Sequence, residues 1–156
     1  SAWQGLNEVV DDAAHAGFVV QPTAPPGIPV AIGSVEDTLF GPMVSFGMAG
    51  TPSQLLGDVS YRIPPLTDSD VADLVRDVRA APLFFCYRGS EPVDVAGIEE
   101  VISRLGQLKD DLADVERLDL ELVLAGAEGC RVLRATGRVL PLADVRGDSL
   151  TRRFPA

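Results

Sequence analysis

Apolar residues along this chain follow two rhythms, and the switch between them divides it into elements. Trp3, Leu6, Val9, Val10 and Ala13 recur at helical spacing, with His15 at a favourable last-turn position and Gly17 as a stop. The apolar runs Phe18 to Gln21, Val30 to Val35, Met43 to Met48 and Val59 to Ile63 are too short for helices and read as four strands sharing a sheet. In the last of them Val59, Tyr61 and Ile63 alternate onto one face. Pro22 to Gly27 carries three prolines and a glycine and must be a turn-rich loop.

Helical periodicity then returns. Thr67 can cap a helix whose first turn holds Asp68 and Asp70, and Val71, Leu74, Val75 and Val78 form its apolar stripe. Asp94 can cap a second helix, with Ile98, Val101, Ile102, Leu105, Leu108, Leu112 and Val115 on one side. Gly106 weakens its centre by about 1 kcal/mol relative to alanine. Leu118 to Leu124 and Cys130 to Leu140 read as a hairpin around the Ala125 to Gly129 loop. The order helix, four strands, two helices, two strands predicts an α/β fold of the α+β type: a mixed, largely antiparallel sheet with helices packed on one side. Residues 1–143 form a single domain in this reading, and 144–156 a polar tail.

The 156 residues suffice for one domain with a real core. No apolar run approaches the roughly 20 residues that span a bilayer, and no signal-like start is present, so a soluble, cytoplasmic protein is expected. Cys86 and Cys130 sit in apolar surroundings without metal or redox spacing and are expected as buried free thiols. A net charge of -10 argues against nucleic acid and anionic membrane as partners. Lys109 is the only lysine, which matters wherever ammonium groups would be needed to hold phosphates.

Candidate chemistry lies in two places. Asp37-Thr-Leu-Phe-Gly-Pro42, a strand, and Gly47-Met-Ala-Gly50 put glycine-bearing turns at both ends of an apolar run. Such turns can bring bare backbone N–H groups against phosphate oxygens, and equally serve as ordinary turns. Asp119 and Glu121 are two apart in an apolar strand, so their carboxylates leave one face while Leu118, Leu120 and Leu122 pack on the other. Paired oxygens of this kind suit Mg²⁺, and also suit the solvated face of an edge strand. No Ser/His/Asp arrangement, Cys/His pair or zinc spacing is present, and His15 lies apart from every other candidate.

An ordered set of segments then narrows the choice. Val19-Val-Gln-Pro22, Gly27 to Gly33, Asp37 to Pro42, Gly47 to Gly50, Asp58 to Asp68, Tyr87-Arg-Gly89 and Leu118 to Glu121 follow one another along residues 17–140. Together they resemble the C-terminal half of the ATP-grasp domain of NDP-forming acyl-CoA synthetases, which is also fused to GNAT acetyltransferases in some bacterial protein-acylating enzymes. The resemblance implies ATP and Mg²⁺ as cofactors. It implies a nucleotide site with Val20 and Gln21 at an adenine-contacting hinge, Asp37, Gly47 and Gly50 near the phosphates, and Asp119 and Glu121 at the metal. It further implies, as partners, an N-terminal ATP-grasp lobe carrying the phosphate-binding lysine and CoA-binding domains, with this chain alone inactive. Arg88 is expected to meet either an anion or Asp94.

Departures from the family pattern favour an alternative. Glu121 stands where the family has an asparagine in Leu-Asp-Ile-Asn-Pro-Leu; here the stretch is Leu118-Asp-Leu-Glu-Leu-Val123. Pro29 and Gln54 replace glutamates, and Arg134 falls near the position of a second acidic metal ligand. A guanidinium there repels a cation and can itself satisfy a carboxylate. The alternative is a catalytically degraded, ligase-like domain serving as a regulatory or scaffolding module of a GNAT-fused protein acyltransferase.

Overall fold

The computed structural model describes residues 22–37, 39–112 and 114–141, with the side chains of 52–54 excepted. The first expected helix, the Phe18 to Gln21 strand, the hinge residues Val20 and Gln21, and the tail lie outside the described residues. Strands β1 (Ile28–Asp37) and β2 (Gly41–Met48) form a hairpin, followed by a short helix α1 (Thr51–Leu56) and strand β3 (Val59–Arg62). Helix α2 (Asp68–Arg76), two 3₁₀ turns (Ala81–Phe84 and Tyr87–Gly89) and helix α3 (Val95–Asp111) come next. Strands β4 (Val115–Gly126) and β5 (Gly129–Val139) close the chain as a second hairpin. The sheet order is β3-β2-β1-β4-β5, and every neighbouring pair is antiparallel.

Local chemistry starts both long helices where expected. Thr67 Oγ1 accepts from the Asp70 backbone N–H while the Asp70 carboxylate accepts from the Thr67 N–H, a reciprocal capping box. That bonding holds the Asp70 carboxyl below its ordinary pKa, the Thr67 hydroxyl contributing most. Asp94 Oδ1 accepts from the Gly97 N–H at 3.0 Å. Helix α3 ends at Asp111 rather than running on to Val115, which opens β4. The Ala125 to Gly129 loop is likewise shorter than expected, because the strands pair up to Gly126 and Gly129 and only Ala127 and Glu128 turn. Helix α1 follows Gly50, whose φ of 101° lies where a side chain is disfavoured, and apolar periodicity gave no sign of so short a helix.

The core lies between one face of the sheet and α2 and α3. Val30, Ile32, Val44, Phe46 and Val123 from the sheet meet Leu74, Val75, Ile98 and Ile102 from the helices, all fully buried. Each such side chain contributes about 1.5–3 kcal/mol by leaving water. Phe46 and Phe84 meet with ring centroids 5.7 Å apart. Gly106 has a packing purpose: a Cβ there would stand 2.9 Å from Leu66 Cδ1, so the glycine lets the α2 approach loop lie against α3. Lys109 is buried, pairs with Glu36 Oε2 at 2.9 Å and donates to the Val115 carbonyl, tying α3 to β1 and to the start of β4.

Candidate functional site

Among the described residues α2 and α3 both pack on one face of the sheet, and strand alternation decides what the other face presents. On β1 the core takes Val30, Ile32 and Ser34, so Ala31, Gly33 and Val35 face out. On β3 the buried residue is Ser60, whose hydroxyl donates to the Leu74 carbonyl at 2.6 Å. Val59, Tyr61 and Ile63 do share one side as expected, and it is the uncovered one: Tyr61 is 53% and Ile63 55% exposed. On β4 the core takes Leu118 and Leu120 and then Val123 and Ala125, because the register with β1 shifts between Val30 and Ile32. That bulge moves Leu122 out of the apolar row in which simple alternation had placed it.

One row of paired residues crosses the open face from edge to edge: Tyr61, Ser45, Gly33, Asp119 and Thr136. At about 4.8 Å per strand it spans roughly 19 Å. Gly33 is its low point. A Cβ on Gly33 would lie 2.9 Å from both Asp119 Oδ1 and Ser45 Oγ, so the missing side chain lets the carboxylate and the hydroxyl close over a buried glycine. Glu121 joins the row by accepting from Thr136 Oγ1 at 2.8 Å. Arg117 Nε donates to Asp119 Oδ2, and Arg134 Nη1 stands 3.7 Å from Glu121 Oε2. The Asp119 hydrogen bond, then its charge, raises the Arg117 pKa above the usual guanidinium range.

Toward the β1–β2 turn the same face forms an open depression of about 390 Å³ lined by Asp37, Phe40, Met43, Tyr61, Arg62 and Ile63. Asp37 Oδ1 accepts from the Leu39 and Phe40 backbone N–H groups at 2.8 and 3.0 Å. Those bonds, Phe40's first, hold its carboxyl below the ordinary carboxylate pKa. Asp37 therefore shapes the turn and keeps its charge at the rim of the depression.

The structure separates the glycines that spacing had grouped. Gly47 lies inside β2, paired with Ala31 and Val59, and not in a turn. A Cβ there would meet the Asp58 carbonyl oxygen at 2.8 Å, so this glycine admits the β3 backbone. Gly50 alone occupies the turn after the strand. Arg88 does not reach Asp94: its guanidinium lies over the Tyr87 ring, 5.4 Å from the centroid, in a tight turn where Cys86 and Arg88 have φ of 56° and 53°. The same turn carries Cys86 outward, so the thiol expected inside is exposed, while Cys130 is half-buried.

Asp119 and Glu121 thus share a face, as their spacing required, and that face looks away from the core. Gly33, Ser45 and Thr136 were not anticipated, because cross-strand register, which no single segment encodes, sets them beside the two carboxylates; Arg117, two residues before Asp119 on the same strand, could have been found from the same alternation. Magnesium, which the family resemblance implied, is not matched by these residues. Each carboxylate is already opposed by a guanidinium, and among the described residues no three His, Cys, Asp or Glu side chains converge as a metal site.

The described residues thus form a five-stranded antiparallel sheet with helices α2 and α3 on one face and a polar row on the other. The ATP-grasp domain family matches residues 2–139, and the chain belongs to it. The beta subunits of ADP-forming acetate–CoA ligases I and II from Pyrococcus furiosus are each 32% identical to it. The first aligns over 78% of this chain and 53% of its own length, the second over 88% and 61%. The apo form of the dinucleotide-forming acetyl-coenzyme A synthetase 1 of Ca. Korarchaeum cryptofilum superposes with a TM-score of 0.78 at 32% identity, covering 88% of this chain and 65% of that one. The same synthetase in complex with coenzyme A and Mg-AMPPCP superposes at 0.71 with 35% identity, covering 74% and 55%. The chain therefore represents the ATP-grasp domain of NDP-forming acyl-CoA synthetase-like proteins, and spans little more than half the length of these beta subunits.

Proposed function

We propose that the open face of the sheet is one wall of a nucleotide cleft, completed by a second ATP-grasp lobe, in a protein that forms acyl-CoA from a carboxylate, ATP and CoA. The observation that carries this reading is the polar row Tyr61, Ser45, Gly33, Asp119 and Thr136 on the sheet face opposite α2 and α3. Polar groups converge there beside an apolar depression at Met43, Tyr61 and Ile63, the combination a base and its phosphates require. In this reading Asp37 and Gly50 serve the phosphate side and Val20 and Gln21 the adenine hinge, while Gly47 contributes by admitting the β3 backbone next to the wall. Asp119 and Glu121 act in this reading as polar wall residues whose charges are balanced within the sheet.

Photolabelling with azido-ATP, followed by peptide mapping, tests the wall. Label should fall on β1, β2 and β4 and be suppressed by excess ATP, and Gly33→Leu should weaken labelling by about tenfold, equivalent to about 1.4 kcal/mol. Label confined to the α2–α3 side, or insensitive to ATP, would refute the proposal. A second reading is favoured by the arginine–carboxylate pairs: the wall binds nucleotide without phosphoryl transfer and regulates or scaffolds an acyltransferase. Nucleotide binding without ADP formation by the intact protein would select it.

A further inference from the structure

Resting on the nucleotide-wall reading, we propose that guanidinium groups on this wall stand in for a divalent cation, so that polyphosphate is held here without metal. Arg117 on β4 and Arg134 on β5 stand beside Asp119 and Glu121 on the open face, and their side chains are 60% and 69% exposed. Arg117 commits Nε to Asp119, and Arg134 stands at 3.7 Å from Glu121, a loose ion pair longer than a hydrogen bond. A guanidinium has five N–H donors, so on these two exposed side chains most donors are not taken up by Asp119 or Glu121. The carboxylates anchor the arginines, and Thr136 in turn fixes Glu121 by its hydroxyl.

The arrangement performs one task of a bound cation by other means: its planar donors match phosphate oxygens in pairs, within a group of two guanidiniums and two carboxylates that carries no net charge. A metal ion would have to displace a guanidinium from Asp119 or Glu121 and then sit beside it at close range, where like charges repel. The chain's single lysine, Lys109, cannot contribute, because it is buried on the helix side against Glu36.

Titration of the protein with inorganic tripolyphosphate, followed by backbone amide and arginine Nε–H NMR signals, separates the possibilities. Affinity should be higher with EDTA than with excess Mg²⁺, which occupies the same phosphate oxygens, and the shifts should centre on Gly33, Arg117, Arg134 and Thr136. Arg134→Asp should lose at least about tenfold in the EDTA arm and gain Mn²⁺-induced broadening at Thr136 and Glu121 that the wild type lacks. Arg134→Lys, which keeps the charge, should retain part of the binding, and unchanged amide dispersion will show that each variant folds. Binding only in the Mg²⁺ arm, or Mn²⁺ broadening at this face in the wild type, overturns the inference and leaves the nucleotide wall standing. Binding in neither arm refutes the wall itself.

Discussion

The two faces of this one sheet are built from neighbouring residues and obey different rules. On the helix side Val30, Ile32, Val44 and Phe46 are fully buried against α2 and α3, and every position is specified by packing. On the open side the same strands present Ala31, Gly33, Ser45, Asp119 and Thr136, where charge, hydrogen bonding and the absence of a side chain matter instead. The contrast teaches that stability and recognition are carried by alternate residues of one strand, so that steps of a single residue along it exchange one for the other.

Substitutions across the sheet should measure that division. Phe46→Ala is expected to cost about 3–5 kcal/mol in denaturant unfolding, whereas Tyr61→Ala on the other face should stay below about 1 kcal/mol. Equal losses would break the comparison. Lys109→Met should cost about 1–3 kcal/mol, because the Val115 carbonyl loses its donor in a buried setting and Glu36 its partner. The glycines sharpen the contrast further. Gly47→Ala should destabilise by about 1–3 kcal/mol, since its Cβ meets rigid Asp58 backbone. Gly33→Ala meets only the movable ends of Asp119 and Ser45, and should cost less stability while weakening ligand binding. Arg134→Ala, on an exposed ion pair, should change unfolding by no more than about 1 kcal/mol.

The smallest effect concerns the thiols. Burial, and then the Asp94 charge, pushes Cys130 up to about 11. Iodoacetamide at pH 8 should therefore modify exposed Cys86 well before Cys130, as mass spectrometry of the partly alkylated protein will show. The folded pKa lies above the unfolded value, so the contribution of the neutral thiol is intact below pH 9.0 and fades as pH rises toward 11. Equal alkylation of both cysteines would contradict the half-buried placement of Cys130.

Much of the fold was legible before any coordinates. Thr67 and Asp94 mark the two helix starts, the stripes through Leu74 and Ile102 name the faces that became core, and the short apolar runs give the strands. The antiparallel sheet with helices on one side follows from their order. Less legible were features set by a few contacts: α1, the early end of α3 before Val115, and the exposure of Cys86 in a left-handed turn. Of the site, Asp119 and Glu121 announced themselves by their spacing, and the value of Arg134 came from the departure of one position from a family pattern. The pairing of Arg134 with Glu121 had to await the hairpin register, which shifts between Asp119 and Val123, whereas Arg117 and Asp119 share one face of β4 by alternation alone.

The sequence by itself determined which residues could be buried, because the period of the apolar pattern follows from backbone geometry that every chain shares. It also determined the shortage of lysine and the two carboxylates on one strand face. Tertiary structure alone decided that Gly47 admits a neighbouring strand while Gly33 admits the side chains of Asp119 and Ser45, and that Val59, Tyr61 and Ile63 face away from the core. The physical reason is that a residue's function on a sheet depends on what stands across from it, and long-range pairing, bulges included, is fixed only when the whole sheet closes against its helices.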